Sequence, residues 1–111
     1  MNSRVKKQWL AALRSGTYGQ GTAALRFENT FCCLGVLCDL HSKVAFVGWE
    51  YDEATGIHRY LGETMILPRP VCEWAGLDEQ NPRALKAGLT AHNDVKLRSF
   101  VRLARIIERN L

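Results

Sequence analysis

Residues 31–40 read FCCLGVLCDL and hold Cys32, Cys33 and Cys38, three of the four cysteines in the chain. The reading of this stretch decides the fold. Its cysteines alternate with Phe, Leu and Val, as core positions do, and free cysteine behaves as a small buried hydrophobe. On a helix, Leu34, Leu37, Cys38 and His41 share a face, with Cys33 and Leu40 beside them. A segment apolar nearly all round is a buried helix, expected here over about 31–42 with Thr30 as its N-cap. Gly35 counts against a helix, and a strand over FCCLGVLC stays open because short apolar runs fit both periods.

Two chemical readings compete with core filling. Cys33-x4-Cys38-x2-His41 together with Cys72 offers four zinc ligands, and thiolate and imidazole suit that metal. The chain has no C-x-x-C, however, and its spacing is not that of paired metal knuckles. A nucleophilic thiol needs a lowered pKa, from a helix N-terminus or a cationic neighbour. Cys32 and Cys33 stand near the expected helix start, but nothing in the sequence pairs them with His41, His58 or His92 as a base. The cysteines are therefore expected to fill the core, with no catalytic residue, metal or cofactor assigned. Asp39 inside this apolar segment needs an ion pair or an exposed edge.

Around this segment the pattern is mixed. Val5, Trp9, Ala12 and Leu13 give a first helix from Ser3, its cap, to about Ser15, closed by Gly16. GTYGQGTAA reads as a loop, Leu25–Phe27 as a short strand, and Glu28–Thr30 as a turn. Val44, Phe46, Trp49 and Tyr51 followed by IHRYL predict a β-hairpin around the turn DEATG, with a bulge near Val47–Gly48. Pro68 or Pro70 opens another helix, with Val71, Trp74 and Ala75 inward and Gly76 at its end. A short helix is expected at 82–87. Asn93 or Asp94 is expected to cap a last helix over about 95–110, with an apolar stripe of Leu97, Phe100, Val101, Ala104 and Ile107. Trp9, Trp49 and Trp74 all sit in periodic settings and are expected in the core.

At 111 residues with 47% hydrophobic and 23% charged residues, the chain fits one globular domain, 1–111. No apolar run reaches the ~20 residues of a membrane helix, and the N-terminal segment is amphipathic without the pattern of an export signal. A cytoplasmic setting with reduced thiols is the expectation. Fifteen Lys and Arg against eleven Asp and Glu give a net charge of +4, a mild bias towards anionic partners.

That charge is concentrated. Arg98, Arg102, Arg105 and Arg109 recur at i, i+4, i+7 and i+11, with Lys96 nearby and Glu108 as the only acid after Asp94. Arginine's planar fork suits phosphate and carboxylate, so the row is a candidate binding face; a solvated helix face is the alternative. Arg4, Lys6, Lys7 and Arg14 would join it if the terminal helices pack together. Tyr18 and Gln20, in the glycine-rich loop, are candidate ligand contacts. No P-loop, dinucleotide fingerprint, G-x-S-x-G or H-E-x-x-H motif is present, and a helix-turn-helix is not convincing.

The chain also carries Trp9-x3-Leu13-x-Ser15-Gly16-x-Tyr18-x-Gln20, then FCCLGVLCDL, LP-x2-V-x2-WAGL at 67–77, the run HND at 92–94, and Phe100-x3-Ala104. In this it resembles a group of small uncharacterised phage and prophage proteins with a CCLGVLCDL-type motif. The resemblance covers most of the chain and implies phage origin and action in a host cytoplasm. It implies no activity. The chain departs from the pattern at His92, where an apolar residue is expected.

The expected fold is α+β: a small single domain with an N-terminal helix, a buried cysteine-rich helix, a β-hairpin or small antiparallel sheet, and a C-terminal basic amphipathic helix. The expected function is non-enzymatic binding through the basic face. Its partner is an anionic small molecule such as a nucleotide, a nucleic acid or an acidic host protein, in counter-defence or host takeover. No membrane contact is expected, and oligomerisation is left open. The alternatives are a small enzyme with a Cys/His centre or a zinc-stabilised module.

Overall fold

The computed structural model describes residues 1–111 as an α+β domain of five helices and two small sheets. Helix α1 spans Ser3–Arg14. Its N-cap is Asn2, not Ser3: the Asn2 side chain accepts a hydrogen bond from the Val5 amide at 3.0 Å. Val5, Trp9, Leu10 and Leu13 are its buried residues.

The glycine-rich loop and the segment after it form three two-residue strands, β1 (Gly19–Gln20), β2 (Arg26–Phe27) and β3 (Thr30–Phe31). Strand β1 pairs parallel with β3, and β2 pairs antiparallel with β3. The sheet is completed by β4 (Glu50–Tyr51) and β5 (Ile57–Arg59) in the order β1-β3-β2-β5-β4. It is therefore mixed rather than purely antiparallel. The hairpin turn DEATG stands as expected between β4 and β5.

The cysteine stretch is helical. Helix α2 spans Cys33–Ala45, so the strand alternative fails. Thr30 is not its cap, because Thr30 belongs to β3. The residue before the helix is Cys32, which supplies no side-chain cap. The cap comes from far along the chain: Asn93 Oδ1 accepts from the Cys33 amide at 3.2 Å. The helix also runs three residues past the expected end. Val44 lies in it, and Phe46 closes it in the left-handed region at φ 56°. What looked like a strand with a bulge at 44–48 is the end of a helix and its exit. The glycine inside α2 has a steric reason: a methyl at Gly35 would overlap the backbone carbonyl of Leu25, which lies against the helix.

Helix α3 (Arg69–Ala75) begins after Pro68 and ends at Gly76 in the left-handed region, φ 70°. Val71 and Ala75 are fully buried, whereas Trp74 is half-buried. The expected helix at 82–87 is a hairpin instead, β6 (Arg83–Ala84) and β7 (Ala87–Gly88). A six-residue helix α4 (Leu89–Asp94) follows and was not expected from the sequence. The last helix, α5, is Phe100–Asn110, capped by Ser99, whose hydroxyl accepts from the Arg102 amide at 3.2 Å. Asn93 and Asp94 end α4 and do not cap α5. This later start changes the buried stripe. Phe100, Leu103, Ala104, Ile106 and Ile107 are buried, while Leu97 precedes the helix and Val101 faces outward.

The core is a cluster of 24 buried side chains. Helix α1 packs on α5 and α2, and α2 packs on α3 and α4. No helix is long and apolar enough to cross a membrane.

A candidate anion-binding groove on the C-terminal helix

The four arginines of the row come together. Arg98, Arg102, Arg105 and Arg109 line a groove of about 320 Å³ with Leu85, Ile106 and Asn110. One wall is α5 and the other is the β6–β7 hairpin tip. Arg102 to Arg109 spans about 10 Å along the helix at 1.5 Å per residue. No acidic or aromatic side chain lines the groove. Arg98 Nε is buried and has no hydrogen-bond partner.

Glu108 does not neutralise the row by pairing within α5. Its carboxylate pairs with Arg14 of α1 at 3.2 Å, and Lys6 donates to its backbone carbonyl at 3.0 Å. The hydrogen bond from Arg14 holds the Glu108 carboxyl below its ordinary range. The terminal helices thus pack side by side, but Lys6 and Arg14 of the expected joint patch serve the α1–α5 seam. Neither they nor Arg4, Lys7 and Lys96 line the groove.

Tyr18 and Gln20 do not line it either, and both have other partners. The Tyr18 hydroxyl donates to Asp39 Oδ2 at 2.6 Å and accepts from Lys43 Nζ at 3.3 Å. Burial, then the Asp39 hydrogen bond, pushes its pKa up. Trp49 Nε1 donates to Asp39 Oδ1 at 3.1 Å, and Lys43 completes an ion pair with Asp39 at 3.5 Å. The carboxylate in the apolar helix is therefore fully partnered. Gln20 positions the groove from behind. Its amide nitrogen donates to Asn93 Oδ1 at 3.0 Å and to the Arg98 carbonyl at 2.7 Å, and its Oε1 accepts from the Phe100 amide at 3.1 Å. Asn93, fully buried, also donates to the Gly21 carbonyl at 2.9 Å. One polar network thus ties the start of α2, the β1 loop and the start of α5, and holds Arg98 in place.

Leu85 and the hairpin that carries it were not legible as groove residues. The two-residue turn at the tip, Leu85–Lys86, has φ 52° and 68°. Positive φ at both central positions is the type I′ turn, which favours Asn-Gly. Leu85–Lys86 is the only consecutive pair among the seven non-glycine residues with positive φ. Such residues cost of order 1–3 kcal/mol each. Leu85 is 58% exposed. No spacing signal in RALKAG marks this turn, because the strand partners are only two residues each.

The cysteines are core residues. All four are free and at most 3% exposed. Burial pushes the Cys32 thiol up to about 11 and raises Cys33, Cys38 and Cys72. A nucleophile needs the opposite shift. Cys33 Sγ faces the Leu89 carbonyl at 3.9 Å and Cys72 Sγ the Glu79 carbonyl at 3.6 Å. The histidines have other neighbours: His41 Nδ1 meets the Tyr60 hydroxyl at 2.6 Å, His92 Nε2 the Ala84 carbonyl at 2.7 Å, and His58 packs on Trp49 and Tyr51. No three His, Cys, Asp or Glu side chains are gathered as metal ligands. Of the three tryptophans only Trp9 is fully buried, its Nε1 donating to the Cys33 carbonyl at 2.9 Å.

Comparison with curated proteins and with solved structures finds no match to this chain. A family model matches residues 1–111, the whole chain, and the protein belongs to that family, the Domain of unknown function (DUF8296).

Proposed function

We propose that the domain is a non-enzymatic binding protein whose groove on α5 engages the phosphates of a nucleic acid. The observation that carries this reading is the convergence of four guanidinium groups on one groove that no carboxylate lines. Like charges held this close repel one another, and a bound anion relieves that cost. Arginine forks take phosphate oxygens bidentately. The groove supplies no aromatic ring to hold a single base, so a phosphate backbone fits it better than one nucleotide does. With the resemblance to phage proteins, the setting of this activity is the cytoplasm of an infected host, in counter-defence or host takeover.

The test is fluorescence anisotropy with labelled oligonucleotides over a salt series. Affinity should fall linearly with salt on logarithmic axes, with a slope set by the few phosphates contacted. The Arg98→Ala, Arg102→Ala, Arg105→Ala triple variant should lose about 100-fold or more in affinity at low salt while its melting temperature stays close to the parent's. Unchanged affinity in that variant sinks the reading. Competition by poly-glutamate as effective as that by DNA moves it to an acidic host protein.

A further inference from the structure

The β6–β7 hairpin tip shares the groove with the arginines, and its turn residues are costly choices. Asn-Gly would form the same turn without strain, yet the tip presents an exposed leucine and a lysine, Leu85 and Lys86. Leu85 itself lines the groove beside the guanidinium groups. An exposed apolar side chain beside cations is how proteins wedge a base step from the minor groove while holding the flanking phosphates. The groove also lacks the aromatic platforms on which single strands stack.

We infer that the ligand is a double-stranded nucleic acid, with the α5 arginines on one backbone strand and the Leu85–Lys86 tip entering the adjacent minor groove. This rests on the phosphate-binding reading of the α5 groove. Recognition is then by backbone and shape, with little dependence on base sequence. Lys86 adds charge at the tip, and Leu85 makes the contact that a free single strand cannot offer.

The experiment compares a duplex of about two helical turns with a single strand of the same length, by anisotropy at fixed salt. The parent should bind the duplex about tenfold or more tightly than the single strand. Leu85→Asn suits the turn and keeps every charge, so its melting temperature should equal or exceed the parent's. Its duplex affinity should fall about fivefold or more with single-strand affinity unchanged, and Leu85→Met should retain duplex binding. If Leu85→Asn binds duplex as the parent does, or if the parent shows no duplex preference, while Arg102→Ala still weakens binding, the tip contact is overturned and the groove reading stands. If the parent binds neither oligonucleotide, both are overturned.

Discussion

Helices α2 and α5 each dominate one part of the molecule, and they solve opposite problems. Helix α2 is buried from Cys33 to Cys38 without a break, takes its N-terminal cap from Asn93, and receives the Leu25 backbone against Gly35. The thiols of Cys32, just before it, and of Cys33 and Cys38 within it are desolvated, and burial raises their pKa values. Helix α5 buries one stripe and turns arginines into a groove. The residues that look most chemical, the cysteines, lie in the core with their thiols desolvated. The ordinary-looking arginines line an open groove. Exposure and shared location, more than residue type, separate the two regions.

The comparison breaks first at α2. Gly35→Ala places a methyl into the Leu25 carbonyl, and backbone on both sides leaves little room to yield. The expected loss is about 3 kcal/mol or more, a large share of a small domain's 5–15 kcal/mol, read as a lost or strongly lowered thermal transition. Normal melting of this variant would mean that α2 is not held against Leu25.

Next comes the joint between the two helices. Asn93→Ala strips the caps from the Cys33 amide, the Gly21 carbonyl and Gln20 at once. About 2–4 kcal/mol should be lost in denaturant titration, because buried partners are left unpaired. Anion affinity should weaken as well, since Arg98 loses its support. A stability loss with unchanged affinity would uncouple the network from the groove.

The arginines test the other side. Arg105→Ala should weaken oligonucleotide binding about tenfold, whereas Arg14→Ala, on the α1 seam, should leave affinity nearly unchanged. Equal effects would show that net charge matters and the groove does not.

Acid gives the smallest expected effect. Burial lowers the pKa of His41 from its ordinary value of 6.5, and burial followed by the nearby Arg26 charge lowers that of His58. A base whose folded pKa is depressed takes up its proton more readily when unfolded. Stability is therefore complete above about 6.5 and declines as pH falls below it, towards the folded value. Thermal melts between pH 7.5 and 5.5 should show a fall in melting temperature, reduced in His41→Gln. A rise in stability over this range would contradict the neutral, buried state of the ring.

The sequence alone determined the α+β class, a buried cysteine-rich helix expected at about 31–42, the burial of Val71 and Ala75 in α3 and the arginine spacing. Each rests on local information: composition, 3.6-residue periodicity, proline and glycine punctuation. Tertiary structure decided the rest. The strands are two or three residues long, too short for a period-two signal, and β1 pairs parallel through contacts no local pattern encodes. The expected last helix starts five residues late, at Phe100, where Gln20, some eighty residues away, binds the Arg98 carbonyl and the Phe100 amide. Periodicity could place four arginines in a row. Only the hairpin packed against α5, through non-local contacts, makes a groove of that row.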